Sequence, residues 1–164
     1  MSEGALGCSA DTLRGPRLSR FLGEAVGEVL ETMFFVENQG PAAGSGPPEE
    51  LFEARVSFEG GPSGTLRLRV TRRAAQTLAA DFFGEDSLEP PGSRVREVVS
   101  ELANMICGSL LSRVDGEATL RLAASAATST TGDVIENPGD AIGYRVDLPN
   151  GALGVVLAMN GAVT

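Results

Sequence analysis

The chain is expected to fold as an α+β domain: an antiparallel β-sheet packed on two long amphipathic helices plus a short helix, arranged as pseudo-twofold halves. Three observations carry this expectation. Residues 18–36 and 93–114 both repeat apolar side chains at helical spacing. Residues 54–58, 66–70 and 144–148 instead alternate apolar and polar positions, and glycine-containing turns at 60–64 and 150–151 join each hairpin's two arms, the pattern of antiparallel hairpins. Each long helical stretch is followed by strands, with one short helical stretch between the two halves.

Residues 1–17 are rich in Gly and Ser, lack periodicity and read as a flexible N-terminal tail, leaving 18–164 as a single domain. In the first helix Leu18, Phe21, Leu22, Ala25, Val26, Val29, Leu30, Met33 and Phe34 share one face, while Glu24, Glu28 and Glu31 face outward. Residues 38–48 hold enough Gly and Pro to stop that helix and form a loop. In the first hairpin Ala54, Val56 and Phe58 alternate with Arg55 and Ser57, and Leu66, Leu68 and Val70 with Arg67 and Arg69. A short helix spans roughly Arg72 to Phe83 with Ala75, Leu78, Ala79 and Phe82 on one side, and Ser93 is placed to cap the second long helix with its hydroxyl. Residues 118–126 alternate through Leu120 and Leu122 as a half-buried strand, and the Ser/Thr/Gly-rich residues 129–139 read as a loop or ragged strand end. Asn150-Gly151 marks the turn of the second hairpin. Residues 153–159 are apolar on both faces, which puts that strand centrally in the sheet.

At 164 residues the chain is long enough to bury a real core, and 42% hydrophobic residues with mean hydropathy +0.05 suit a soluble globular protein. No apolar run reaches the roughly 18 residues of a membrane span. The opening residues lack the apolar core of a secretory leader, so a cytoplasmic location is expected, and Cys8 and Cys107, far apart, read as reduced thiols. A net charge of −9 with no basic stripe disfavours nucleic-acid binding, which depends on clustered cations. Histidine is absent, which removes the commonest general base and metal ligand.

The second long helix carries the chemistry. Glu97, Glu101, Asn104 and Gly108 follow each other at i, i+4, i+7 and i+11 and form a narrow stripe opposite the apolar face of Val95, Val98, Val99, Leu102, Met105, Ile106 and Leu110. The plain alternative is a polar face turned to water. Cys107 and Arg113 fit the C-x5-R spacing of a cysteine phosphatase loop, but they continue a helical pattern in which the backbone N–H groups are already bonded. Glu97 and Glu101 could clasp a metal only with ligands from elsewhere, and Gly60–Gly64 separates two strands and lacks the Lys of a P-loop. An amide on a rigid helix can orient a water, which suits hydrolysis of a labile phosphoryl group. A carboxylate beside it helps only when paired with a cation brought by the substrate. Gly108 would let a partner's backbone come close.

Residues 98–108, Val-Val-Ser-Glu-Leu-Ala-Asn-Met-Ile-Cys-Gly, resemble the E-x-x-N helix of the CheX–CheC–FliY family of chemotaxis phosphatases. Residues 29–34 are similar to the opening helix of the CheX branch, and the element order fits over roughly Leu18 to Asn160. The resemblance implies a CheC-like fold and a hydrolase acting on the aspartyl phosphate of a CheY-like response-regulator receiver. It makes Glu101 and Asn104 the catalytic pair, Glu101 meeting the receiver's lysine and Asn104 orienting the water. Glu97 and Gly108 become flanking partner contacts. The implied Mg2+ sits on the receiver, with no cofactor bound by this chain, and a homodimer is implied. Glu97 stands where the family often has Asp or Ser, and a proline expected downstream has no match. The first helix reads Glu28-Val-Leu-Glu31 without Asn, so a second active site is not expected. A non-catalytic module docking a receiver or a chemotaxis or flagellar protein is the alternative on the same scaffold.

Overall fold

A computed structural model of the chain describes residues 15–34, 49–59, 63–84, 91–114, 121–124, 127–135, 141–148 and 150–159. Its elements run in the order α1 (Gly15–Phe34), β1 (Glu49–Glu59), β2 (Gly64–Thr71), α2 (Arg72–Phe83), α3 (Gly92–Val114), β3 (Arg121–Ala124), β4 (Thr128–Gly132), β5 (Ile142–Leu148) and β6 (Gly151–Met159). The expected tail lies outside the described residues apart from 15–17, which are already helical, and the loop at 38–48 lies wholly outside them.

All strand pairs are antiparallel, in the order β3-β1-β2-β6-β5. The two hairpins, β1-β2 and β5-β6, meet through their second strands, β2 beside β6, as the pseudo-twofold arrangement requires. Strand β1 is 11 residues long, and its outer edge is shared: β3 pairs with Val56–Glu59 and β4 with Glu49–Glu53. Residues 128–132 are thus a strand where 129–139 was expected to be a loop or ragged end. Thr128, Thr130 and Thr131 favour extended backbone through branching at Cβ, a preference that apolar alternation does not register.

The three helices pack on one face of the sheet. Leu22, Val26 and Leu30 of α1, Leu66 and Leu68 of β2, and Leu102, Ile106 and Leu110 of α3 are at most 1% exposed within one continuous core. Full burial of each such side chain stabilises by roughly 1.5–3 kcal/mol. Gly23 lets α1 approach β5 closely, since a Cβ there would stand 2.9 Å from the Tyr144 ring. Helix α3 begins at Gly92, where the Pro91 carbonyl accepts from Arg94 N (2.9 Å) and Val95 N (3.1 Å). Pro91 is therefore the half-helical residue and Ser93 lies inside the first turn, which corrects the expected Ser93 cap. A proline suits that place because its missing N–H has no helical partner to lose.

The opposite face of the sheet has a smaller apolar cover. Leu51, Val134 and Ala152 cluster there, with Ile135 beside them. A Cβ on Gly154 would stand 2.5 Å from the Val134 carbonyl oxygen, so the glycine is what lets this segment lie on β6. That cover lies over Ala152 and Gly154 on the outer face of β6. Beside it, Arg69 Nε donates to Glu53 Oε1 (2.7 Å) and Arg55 Nε to Glu53 Oε2 (2.9 Å), while Arg69 also reaches the Asp133 carbonyl (3.0 Å). Glu53 and Arg69 are direct cross-strand partners, so their pair specifies the β1–β2 register.

Burial pushes the Glu53 carboxyl up, but the hydrogen bonds and charges of Arg69 and Arg55 outweigh it and hold the pKa below its ordinary 4.5. A depressed folded-state pKa stabilises the fold above the unfolded value, and that contribution is lost as pH falls through the folded one. Glu53→Gln should cost about 1–3 kcal/mol at neutral pH, with the deficit narrowing at pH below 4.5. Urea unfolding at stepped pH reads this, and a deficit independent of pH would contradict the assignment.

Candidate functional site

Helix α3 is held on one side by Val95, Val99, Leu102, Ala103, Ile106 and Leu110, all buried. Its other side carries the stripe picked out above. Glu97 and Glu101 are exposed and Asn104 and Gly108 half-buried, in a file about 16 Å long at 1.5 Å per residue. Met105, expected in the apolar stripe, is only partly buried at its edge. Among the described residues neither Glu97 nor Glu101 has an ion-pair partner, and the Asn104 carboxamide has no hydrogen-bond partner. A Cβ on Gly108 would meet nothing within 4 Å. Among the described residues the file is therefore chemically idle, and it faces away from the core.

Its C-terminal end is tied to α1. Arg113 Nη1 lies 2.9 Å from Glu28 Oε1 and its Nε 3.5 Å from Glu24 Oε1. The Ser109 hydroxyl donates to Glu28 Oε1 (2.7 Å) and accepts from Arg113. The Ser109 hydroxyl first, then the Arg113 guanidinium, hold the Glu28 carboxyl below its ordinary range. Arg113 also sits in the last turn of α3, where a cation complements the helix dipole. Glu24 and Glu28 face outward as expected from the sequence, but they are engaged as a latch between helices. The i, i+4 spacing of Ser109 and Arg113 was visible in the sequence; their pairing with α1 was not.

Cys107 is fully buried, and desolvation pushes its thiol up to about 12. At neutral pH it is a protonated core residue, without the thiolate a cysteine phosphatase requires. Among the described residues no three His, Cys, Asp or Glu side chains group closely enough to hold a metal ion. None of the described helices is long and apolar enough to cross a membrane.

One feature beside the stripe carried no sequence signal. A groove of about 820 Å³ opens between the end of α2 and the start of α3, lined by Phe82, Phe83, Arg94, Arg96, Glu97 and Glu101 among others. It depends on two helix ends separated in sequence by residues outside the description, so spacing within either helix could not reveal it.

A comparison with curated proteins finds no match. Solved structures do match in fold. Chemotaxis protein CheX from Desulfovibrio desulfuricans is 17% identical, covers 87% of this chain and 99% of its own, and superposes with a TM-score of 0.63. A CheC-like superfamily protein from a Shewanella species is 17% identical over 90% of this chain and 100% of its own, with a TM-score of 0.64. The complex of CheX with CheY, BeF3 and Mg2+ from Borrelia burgdorferi matches at 18% identity over 85% of this chain and 96% of the other, with a TM-score of 0.58. At such identities these likenesses establish the fold. The sequence model of the chemotaxis phosphatase CheX matches residues 52–147, more than half of the chain and the whole of α3. The chain thus belongs to the CheX family of chemotaxis phosphatases.

Proposed function

We propose that this chain hydrolyses the aspartyl phosphate of a CheY-like receiver domain, with the exposed stripe of α3 entering the receiver's active site. The observation that carries the reading is a carboxylate and a carboxamide without partners among the described residues, Glu101 and Asn104, one turn apart on the open side of an otherwise buried helix. Membership of a phosphatase family supports it, as does the fold shared with a CheX that forms a complex with CheY, BeF3 and Mg2+.

In this reading the Asn104 carbonyl accepts a hydrogen bond from a water and aims it at phosphorus along the line of the breaking P–O bond. The receiver's aspartate leaves as a carboxylate and inorganic phosphate is released. The leaving group is a weak base, so positioning and charge suffice and no histidine is needed. Glu101 pairs with the receiver's lysine, which fixes the docked pose and keeps the carboxylate from repelling the phosphoryl group. Mg2+ belongs to the receiver. Glu97 and Gly108 contact the receiver on either side of the catalytic pair. A homodimer and a cytoplasmic location are part of the same proposal.

Three outcomes test it. Mixed with phosphorylated receivers, the parent should accelerate phosphate release, and Asn104→Ala should lower kcat by about a hundredfold with the fold unchanged. An Asn104→Ala variant as active as the parent would sink the assignment, and a parent that binds receivers without shortening the phosphate's lifetime would be a docking module. Gly108→Ala should stabilise the isolated chain by roughly 0.5–1 kcal/mol, because alanine is the better helix former, yet raise KM through the methyl group facing the receiver. Thermal melts beside steady-state kinetics separate the two effects. In a Cys8→Ser background, iodoacetamide should leave the native protein's activity unchanged, and rapid inactivation would instead revive cysteine chemistry.

A further inference from the structure

We infer that the groove beside Glu101 is a docking site for the receiver, taking an apolar side chain against Phe82 and a neighbouring carboxylate against Arg96. This rests on the proposed receiver substrate and says what selects it. Phe82, which helical spacing puts on the same side as the buried Ala75, Leu78 and Ala79, is instead the exposed large hydrophobic among the described residues, at 37%, where the others are mostly withdrawn into the core. It sits at a capped helix end. Gly84, in the left-handed region at φ 66°, ends α2 one residue after Phe83, with its N–H bonded back to the Ala80 and Asp81 carbonyls. The Phe82 and Phe83 rings pack edge to face at 5.4 Å and 87°. The Arg94 guanidinium lies 4.9 Å from the centre of the Phe83 ring and so braces the pair from α3.

The groove is continuous with the reacting stripe, since Glu97 and Glu101 form part of its wall. A protein that docks Glu101 therefore covers Phe82 as well. Charge points to the same partner. This chain carries −9 overall and advances two carboxylates on α3, while a phosphoryl site that holds Mg2+ is itself built of acidic oxygens. Bringing two acidic surfaces together needs opposing cations at the rim. Arg96 is exposed, adjoins Glu97 and has no ion-pair partner among the described residues, so its guanidinium can take that role. An aromatic anchor beside arginines is also the composition that concentrates binding energy in protein interfaces.

The test is a titration of the full-length chain with a CheY-like receiver loaded with beryllofluoride and Mg2+, beside phosphate-release kinetics. Phe82→Ala should weaken binding and raise KM about tenfold with kcat unchanged. Arg96→Glu should also raise KM, by a factor that shrinks as salt is added, and Arg96→Lys should restore most of the affinity. Both positions are solvent-exposed, and Arg96→Glu tests the groove even where Phe82→Ala perturbs the end of α2. Parent-like affinity in Phe82→Ala and Arg96→Glu, or a fall in kcat at constant KM, overturns the inference. An active parent whose activity needs Asn104 but ignores Phe82 and Arg96 refutes the groove alone. A parent that binds the beryllofluoride receiver through Phe82 yet releases no phosphate refutes catalysis and upholds the groove. A parent that binds no receiver refutes both.

Discussion

The burial of α3 against the sheet is the constraint on which the rest of the molecule depends. Nine residues of one helix, from Val95 to Leu111, are almost wholly removed from water. A rod fixed on that scale cannot roll without exposing leucines, each worth roughly 1.5–3 kcal/mol. Glu97, Glu101, Asn104 and Gly108 inherit their orientation from that anchorage and contribute nothing visible to it. This division leaves four positions of α3 turned away from the packing that fixes the helix. The latch from Arg113 to Glu28 is solvent-exposed and screened, so it trims the lie of the helix and leaves the bulk of the stability to packing.

Much of this was legible beforehand because it rests on periodicity. Helical spacing identified α1 and α3 and the side of α3 that faces out, and alternation identified both hairpins. The doubly apolar run of β6 correctly placed it inside the sheet, next to β2. The motif on α3 led to the family that the comparison establishes. What escaped were features built from contacts between segments distant in sequence. The Glu53–Arg69 pair, the Val134 cover over Gly154, and the groove at Phe82 each need a fold before they exist. Strand β4 escaped for another reason: threonine and serine mark turns as readily as strands, and only pairing with β1 decides between them. At the start of α3, Pro91 and Ser93 competed for the role of cap, and the helix used the main-chain carbonyl of the proline.

The two halves of the molecule differ in what they offer to the outside. On α3 the acidic residue of the motif has no ion-pair partner among the described residues. On α1 the nearest counterpart, Glu28, receives a guanidinium and a hydroxyl from the neighbouring helix. Its charge is spent within the chain, and the residue three places on is Glu31 rather than an amide.

That latch has a mechanical consequence. Writing asparagine in place of Glu31 would not by itself give α1 an outward carboxylate and amide like those of α3, because Arg113 and Ser109 would still hold Glu28. Freeing Glu28 would in turn undo the contact that ties the C-terminal end of α3 to α1: the two rods are geared, and reach gained by one is support withdrawn from the other.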